Sequence, residues 1–288
     1  MTLRRFIPAI HIHPILLIFI IVSFLTGTFI ELMIILGIVL FHEFGHFIMA
    51  KVFKWRIRGI MLWVFGGVMD TDENGTSPLS EEIMVTIAGP FQHLFIYVLL
   101  LFLSANSIVP SSIIELAFFY NSAILLFNLL PLWPLDGGKL LFQILSALLP
   151  YRKAYDYVII FSICTCIIFL VVQLLFIPFT LSAFMLFLFL LVENRSDWKQ
   201  RYYVFIRFLL RRYHGESYIK GDRPIEVSHH IFLMDVFSNF YREKRHSIYV
   251  TFPGNIRESI DEMDCLHSYF HERNYSKQIG EITSHLSG

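Results

Sequence analysis

The sequence predicts an α-helical polytopic membrane protein. It has six transmembrane helices, a small re-entrant β element between two of them, and a small C-terminal α+β domain. Three observations predict this class. Hydrophobic residues are 56% of the 288 and charged ones only 16%, against about a quarter in soluble domains, so a water-soluble globule of this length would lack polar surface. The hydrophobic residues gather in runs long enough to cross a bilayer. Lys and Arg recur at every second junction between those runs.

Arg4 and Arg5 precede the first apolar run, Ile15–Phe29. No small-x-small cleavage site follows and further runs come at once, so it reads as a retained span rather than a removed signal peptide. The next runs are Leu32–Ala50, Ile83–Leu103, Ile114–Leu132, Tyr157–Phe176 and Phe179–Val192, the last two parted by a turn at Pro178. Leu140–Leu149 is also apolar but too short to span. Basic residues flank alternate junctions: Lys51, Lys54, Arg56 and Arg58 after the second run, Arg152 and Lys153 before the fifth, and Arg195, Lys199 and Arg201 after the sixth. The connections at Thr26–Glu31, Ala105–Ser112 and Pro178 carry no Lys or Arg. Six spans with both termini cytoplasmic satisfy the positive-inside rule at each step.

Between the second and third runs lies Lys54–Ser80. Its apolar β-formers, broken by Gly66-Gly67 and followed by the acidic, turn-rich Asp70–Pro78, predict a β-hairpin or re-entrant strand. Such backbone is tolerated at membrane depth where it lines a cavity, and a strand edge there suits an extended peptide.

Three segments result: a membrane domain at 1–193, a linker at 194–220 and a terminal domain at 221–288. The linker carries Trp198, Arg201, Tyr202, Tyr203, Arg207, Arg211 and Arg212, which fits either a helix on the membrane surface or a solvated helix. In the terminal domain, strands are expected at Pro224–Val227, Ser247–Phe252 and Arg257–Asp261, with helices at Met234–Arg245 and Met263–Glu272.

Formal net charge is zero and basic residues cluster only beside apolar runs, so nucleic acid is not an expected partner. Cys164, Cys166 and Cys265 form no CxxC pair, and two lie inside an apolar run, which argues against a disulfide framework or zinc knuckle.

The second run contains His42-Glu43-Phe44-Gly45-His46. Residues four apart share a helix face, so both imidazoles can bind one metal ion, and Glu43 stands where it can take a proton from the attacking water. Two His and a Glu in an apolar span are costly without a function. Lys51 follows His46 by five residues, about 7.5 Å of helical rise, which puts the site inside the membrane near its cytoplasmic end. Zinc held by two His needs a third protein ligand and an open position. Glu31 sits at the outer boundary, and Glu81 and Glu82 at a cytoplasmic edge. Asp136 follows Pro131 and Pro134, which end the fourth run, and precedes Gly137-Gly138, which permit a sharp turn, so it reaches the depth of the histidines. Asp136 is the favoured ligand; capping the helix that starts near Lys139 is its other reading. His93 reads as a polar contact between helices rather than a ligand.

Together, the HExxH and the stretch Asn128-Leu-Leu-Pro131-Leu-Trp-Pro134-Leu-Asp136-Gly137-Gly138 resemble the paired motifs of the site-2 protease family of intramembrane metalloproteases. The resemblance covers the second to fourth spans. It implies Zn2+ on His42, His46 and Asp136, Glu43 as general base, and Asn128 on the substrate or the developing oxyanion; an interhelical hydrogen bond is the other reading of Asn128. Within the family the chain is most similar to the sporulation group, in its short N-terminus with His11-Ile-His13-Pro14, its Ile87–His93 stretch and its lack of a PDZ insertion. That similarity implies regulated intramembrane proteolysis of a sigma-factor precursor, with inhibitory membrane proteins as further partners. The terminal domain resembles a single cystathionine-β-synthase (CBS) domain, which implies a homo-oligomer and ATP as regulator, with no contact residues assignable. Two alternatives come from other classes. A membrane metal-ion transporter has no need of Glu at the HExxH spacing, and an inactive protease-like scaffold has no need of an intact Glu43 and ligand set.

Overall fold

Long stretches of Leu, Ile and Phe with few breakers hold the first three quarters of the chain in helices. In the computed structural model the described residues are 9–12, 14–63, 66–71, 75–176, 178–254 and 256–286. The elements in order are β1 (Ala9–Ile12), α1 (Pro14–Thr26), α2 (Phe29–Val52), β2 (Ile57–Trp63), β3 (Gly66–Thr71), α3 (Leu79–Ala105), α4 (Ser111–Asn128), α5 (Asp136–Leu148), α6 (Tyr151–Leu175), α7 (Leu181–Tyr213), β4 (Gly221–Asp222), β5 (Ile225–Ser228), α8 (Leu233–Phe237), β6 (Lys244–Arg245), β7 (Ser247–Thr251), β8 (Arg257–Asp261), α9 (Glu262–Phe270) and α10 (Ile279–Leu286). They form two compact units. The first comprises the described parts of Met1–Asn74, Ser80–Pro131 and Leu135–Gly137, the second Gly75–Leu79, Leu132–Pro134 and the rest from Gly138.

In the first unit, helices α2, α3 and α4 pack around Ile38, Ile96, Leu100 and Ala117, with a second cluster of Ala50, Trp55 and Val85. Large apolar side chains such as Val98, Leu101 and Phe102 on α3 and Phe119 and Leu126 on α4 stay exposed. Such continuous apolar surface is out of place in water and at home in lipid. Among the described residues, four helices, α2, α3, α4 and α6, are long and apolar enough to cross a membrane. The chain is an integral membrane protein. Helix α1 has 13 residues, and α7 meets Glu193, Arg195 and Asp197 within 17 residues of its start, so neither reaches that length on its own.

The hairpin expected between the second and third spans is present as β2 and β3, antiparallel with Met61 opposite Val68 and Trp63 opposite Gly66. Beside β2 lies β1, in parallel register with Ile10 opposite Ile60. The sheet order β1-β2-β3 leaves β3 at an edge. Nothing in the sequence pointed to β1, and His13, next to it, lies outside the described residues.

In the second unit, α7 runs unbroken across the change of composition at 193, so the residues expected as a linker are its second half as far as Tyr213. One apolar core joins Phe142, Tyr155, Ile159, Phe205 and Leu209 to Val236, Phe237, Ile248, Val250 and Leu266. The terminal strands form a sheet in the order β5-β7-β8, β5 parallel and β8 antiparallel to β7. Strands β5, β7 and β8 and helix α9 fall within a residue or two of their expected places. The helix expected over Met234–Arg245 forms only in its first turn; α8 ends at Phe237. The hydroxyl of Ser238 and the amide of Asn239 donate to Asp235 O at 2.6 and 3.1 Å, and short polar side chains that bond the local backbone favour helix ends over helix interiors. Glu243 then takes φ +59°, which closes off any return to helix.

Two short stretches of chain are gripped within this unit. The Trp133 backbone N–H donates to Ser162 Oγ at 2.8 Å and its indole N–H to Asp197 Oδ2 at 2.8 Å, while its carbonyl accepts from the Asn194 amide at 2.5 Å. In residues 75–79, Thr76 O accepts from the Tyr218 N–H, Ser77 O from the Arg242 guanidinium, and the Leu79 N–H donates to Glu243.

Candidate metal centre

Helix α2 carries His42 and His46 one turn apart, and Asp136 is the first residue of α5. The fold brings the three together, all buried. Asp136 Oδ2 lies 3.0 Å from His42 Nε2 and 3.1 Å from His46 Nε2, and the two Nε2 atoms are 3.1 Å apart. Ligand atoms about 2.0–2.1 Å from a tetrahedral zinc stand roughly 3.3 Å from one another, so the three atoms outline one face of such a site. The donor set, two imidazoles and a carboxylate, suits zinc with a fourth position open. No other group of three His, Cys, Asp or Glu ligand atoms converges this closely among the described residues.

Local sequence explains the convergence. A Cβ at Gly45 would overlap the Ala88 carbonyl, so α2 and α3 approach closely only with glycine there. A Cβ at Gly89 would overlap the His46 ring and come within 2.8 Å of His42 Cε1, so Gly89 leaves room for both imidazoles. Helix α3 also orients them. His46 Nδ1 lies 2.8 Å from Val85 O and must donate to it, which leaves the Nε2 lone pair for a metal. A Cβ at Gly137 would overlap the carbonyls of Leu129 and Leu130, so the chain doubles back tightly between α4 and α5. Trp133, gripped as described above, stands three residues before Asp136.

Glu43 is buried beside His42 on α2. Asn128 is the last residue of α4, and its amide donates to Ile124 O at 3.0 Å, one turn back in the same helix. The other carboxylates considered as ligands have different neighbours: Glu31 accepts from the Tyr120 hydroxyl at 3.3 Å and Glu81 from the Trp55 indole at 3.1 Å. His93 makes an interhelical contact as expected, but the contact is with a histidine of the cluster: its Nε2 lies 3.1 Å from His42 Nδ1. Its other nitrogen lies 2.7 Å from Asn121 Oδ1. Asn121 carries no motif signal; its place on α4, seven residues before Asn128, was the only hint.

The peptidase family M50 model matches residues 30–110 and 104–172, which include the histidine pair and Asp136. Stage IV sporulation protein FB of Bacillus subtilis is 39% identical over 274 residues, 95% of this chain and 95% of that protein. The chain belongs to peptidase family M50. A zinc metalloprotease of Methanocaldococcus jannaschii is 34% identical over 119 residues, 40% of this chain and 34% of its own length. The solved site-2 protease from the same archaeon superposes with a TM-score of 0.53 at 24% identity, covering 65% of this chain and 89% of that one, and so shares the fold. The resemblance to site-2 proteases drawn from the two motifs is thereby borne out. This M50 protein is an intramembrane zinc metalloprotease.

Zinc at such a centre supplies a Lewis acid for the scissile carbonyl and for water. Among the chain's own residues, Glu43 is a buried carboxylate next to His42 in the same helix, a group of the kind that can accept and return a proton.

Proposed function

We propose that His42, His46 and Asp136 hold the zinc, and that Glu43 takes the proton of the attacking water and passes it to the leaving amine. The observation that carries this is the mutual 3.0–3.1 Å separation of three buried ligand atoms on the two matching motifs. Asn128, at the end of α4, is proposed to turn its amide to the substrate or the developing oxyanion when a peptide is bound.

The substrate enters extended. With β1 on one side of β2, the outer edge of β3 is the place where a peptide strand can add by backbone pairing. The similarity to a sporulation protein over nearly the whole chain supports a membrane-associated sigma-factor precursor as the substrate, cut in regulated intramembrane proteolysis, with inhibitory membrane proteins as partners. The span count is proposed as six, α1 and the apolar first part of α7 adding to the four long helices, with both termini cytoplasmic. The organisation is proposed as 1–193 membrane domain, 194–220 linker and 221–288 terminal domain. The strand and helix order of the last supports a CBS-like unit that pairs with a copy from another chain and responds to ATP.

The test is to reconstitute the full chain in liposomes with a sigma-factor precursor and to follow the shortened product. The precursor should be cut by the parent and left whole by Glu43→Gln. Equal processing by both would overturn the hydrolytic role of Glu43, and a parent that cuts no membrane peptide at all would leave a scaffold. No processing of that precursor by an enzyme active on another membrane peptide would overturn the substrate alone.

A further inference from the structure

The structure assigns two positioning residues to the metal centre, His93 and Asn121, which fix the tautomer of His42 through a directed chain of hydrogen bonds. The inference rests on the reading of His42 as a metal ligand. The direction of the chain follows from chemistry at each link. The Asn121 amide nitrogen donates to the His93 backbone carbonyl at 3.2 Å, which settles the orientation of the amide. Its oxygen therefore faces His93 Nδ1 at 2.7 Å. An amide oxygen only accepts, so Nδ1 of His93 carries the proton. The Nε2 of a neutral His93 is then an acceptor, and the atom 3.1 Å from it is His42 Nδ1. His42 must hold its proton there, and its one lone pair is left on Nε2, the atom that faces Asp136 Oδ2 and His46 Nε2.

His46 reaches the same tautomer in one step, from the carbonyl of Val85. His42 has no carbonyl in this role and uses two side chains from two further helices. Both His93 and Asn121 are completely buried, so water cannot stand in for either link. Reversing the chain would set the lone pair of His93 Nδ1 against the amide oxygen, and would leave His42 with its proton on the nitrogen meant for the metal. Asn121 thus contributes to the centre without touching it. Groups that hold the far nitrogen of a ligating histidine typically carry about 10- to 100-fold in metal affinity.

Zinc affinity of the purified full-length protein, read by competition with a chelating dye, tests the assignment alongside the melting temperature of the zinc-free protein. His93→Phe and Asn121→Leu should each weaken zinc binding ~10- to 100-fold and lower kcat more than they raise KM. His93→Gln keeps an acceptor near the place of Nε2, and Asn121→Asp keeps an acceptor for Nδ1; both should recover most of the affinity. A structural role alone would lower the melting temperature in all four and leave affinity level across each pair. Parent-like zinc affinity in folded His93→Phe overturns the inference. If that variant does not fold, equal affinities in Asn121→Asp and Asn121→Leu overturn it. A parent that binds no zinc overturns the metal-centre reading and this inference with it. A parent that binds zinc and loses activity in Glu43→Gln keeps that reading whatever His93 does.

Discussion

Two buried polar clusters, one in each unit, use the same kinds of residue to opposite ends. In the membrane unit, two histidines and an aspartate turn three ligand atoms toward one point, each about 3 Å from the others. In the second unit, Arg212, His246 and Glu262 are as deeply buried but close on themselves. Arg212 makes two bonds to the Glu262 carboxylate at 3.1 and 3.0 Å and others to the carbonyls of Tyr241 and Lys244. His246 Nε2 accepts the Tyr241 N–H at 3.0 Å, so its Nδ1 donates to Glu262 at 3.0 Å, and its own backbone N–H adds a bond at 2.9 Å. Here donors meet acceptors and a fixed positive charge balances the carboxylate. The difference teaches how to tell a site from a fastener: buried lone pairs that converge on a point call for a cation, while lone pairs that each find a proton hold the fold.

The contrast breaks most sharply at the ligands. Asp136→Ala or His46→Ala should remove zinc and bring cleavage to background while the terminal domain melts as before; zinc retained at one per chain in Asp136→Ala would undo the ligand assignment. Next comes Glu43→Gln, which should keep one zinc per chain and lower cleavage by about 10²- to 10⁴-fold, as checked by metal analysis beside a turnover assay. The fastener should answer in stability instead. Arg212→Met strands a buried carboxylate and should cost about 3–5 kcal/mol, while Arg212→Met with Glu262→Leu should cost less, because no charge is left alone. Hydrogen exchange in β7 and α9 reads this; a drop in zinc content in either variant would blur the distinction between the clusters.

The smallest effect is on pH. Burial is the largest influence on His246 and lowers its pKa, outweighing its bond to Glu262. The unfolded chain therefore binds a proton that the folded one does not, and stability falls as pH drops below the ordinary value near 6.5. The slope for one proton is at most ~1.4 kcal/mol per pH unit, and His246→Gln should flatten it. A terminal domain that gains stability on acidification from pH 7 to 5.5 would reverse the sign and the argument.

Much of the metal centre was legible in the sequence because its determinants are local. The HExxH sets two histidines on one helical turn, and Pro131, Pro134 and Gly137 mark where the chain doubles back to present Asp136. The hairpin at Gly66-Gly67 announced itself by β-forming residues and a turn. What could not be read depends on distant partners. Strand β1 exists because β2 offers it an edge some fifty residues later. His93 and Asn121 look like ordinary polar residues in apolar spans until α3 and α4 bring them to His42. The helix expected over Met234–Arg245 had the right periodicity, and Ser238 and Asn239 ended it early through bonds to Asp235 that a pattern of apolar positions does not register.

The grips on Trp133 and on residues 75–79 limit how the gene can be cut. Asn194 and Asp197 lie just beyond the point where composition invites a truncation, yet they hold two of the three hydrogen bonds on Trp133. Arg242 and Glu243 lie deep in the terminal domain, yet they bind the stretch that leads directly into α3, the helix of Val85, Gly89 and His93. A fragment ending at 193 or 220 is therefore a damaged enzyme rather than an enzyme freed of its appendage, and lost activity in it says nothing about regulation. Whole-length proteins with point changes in the terminal domain, sparing Arg242 and Glu243, are the comparison that separates control from collapse.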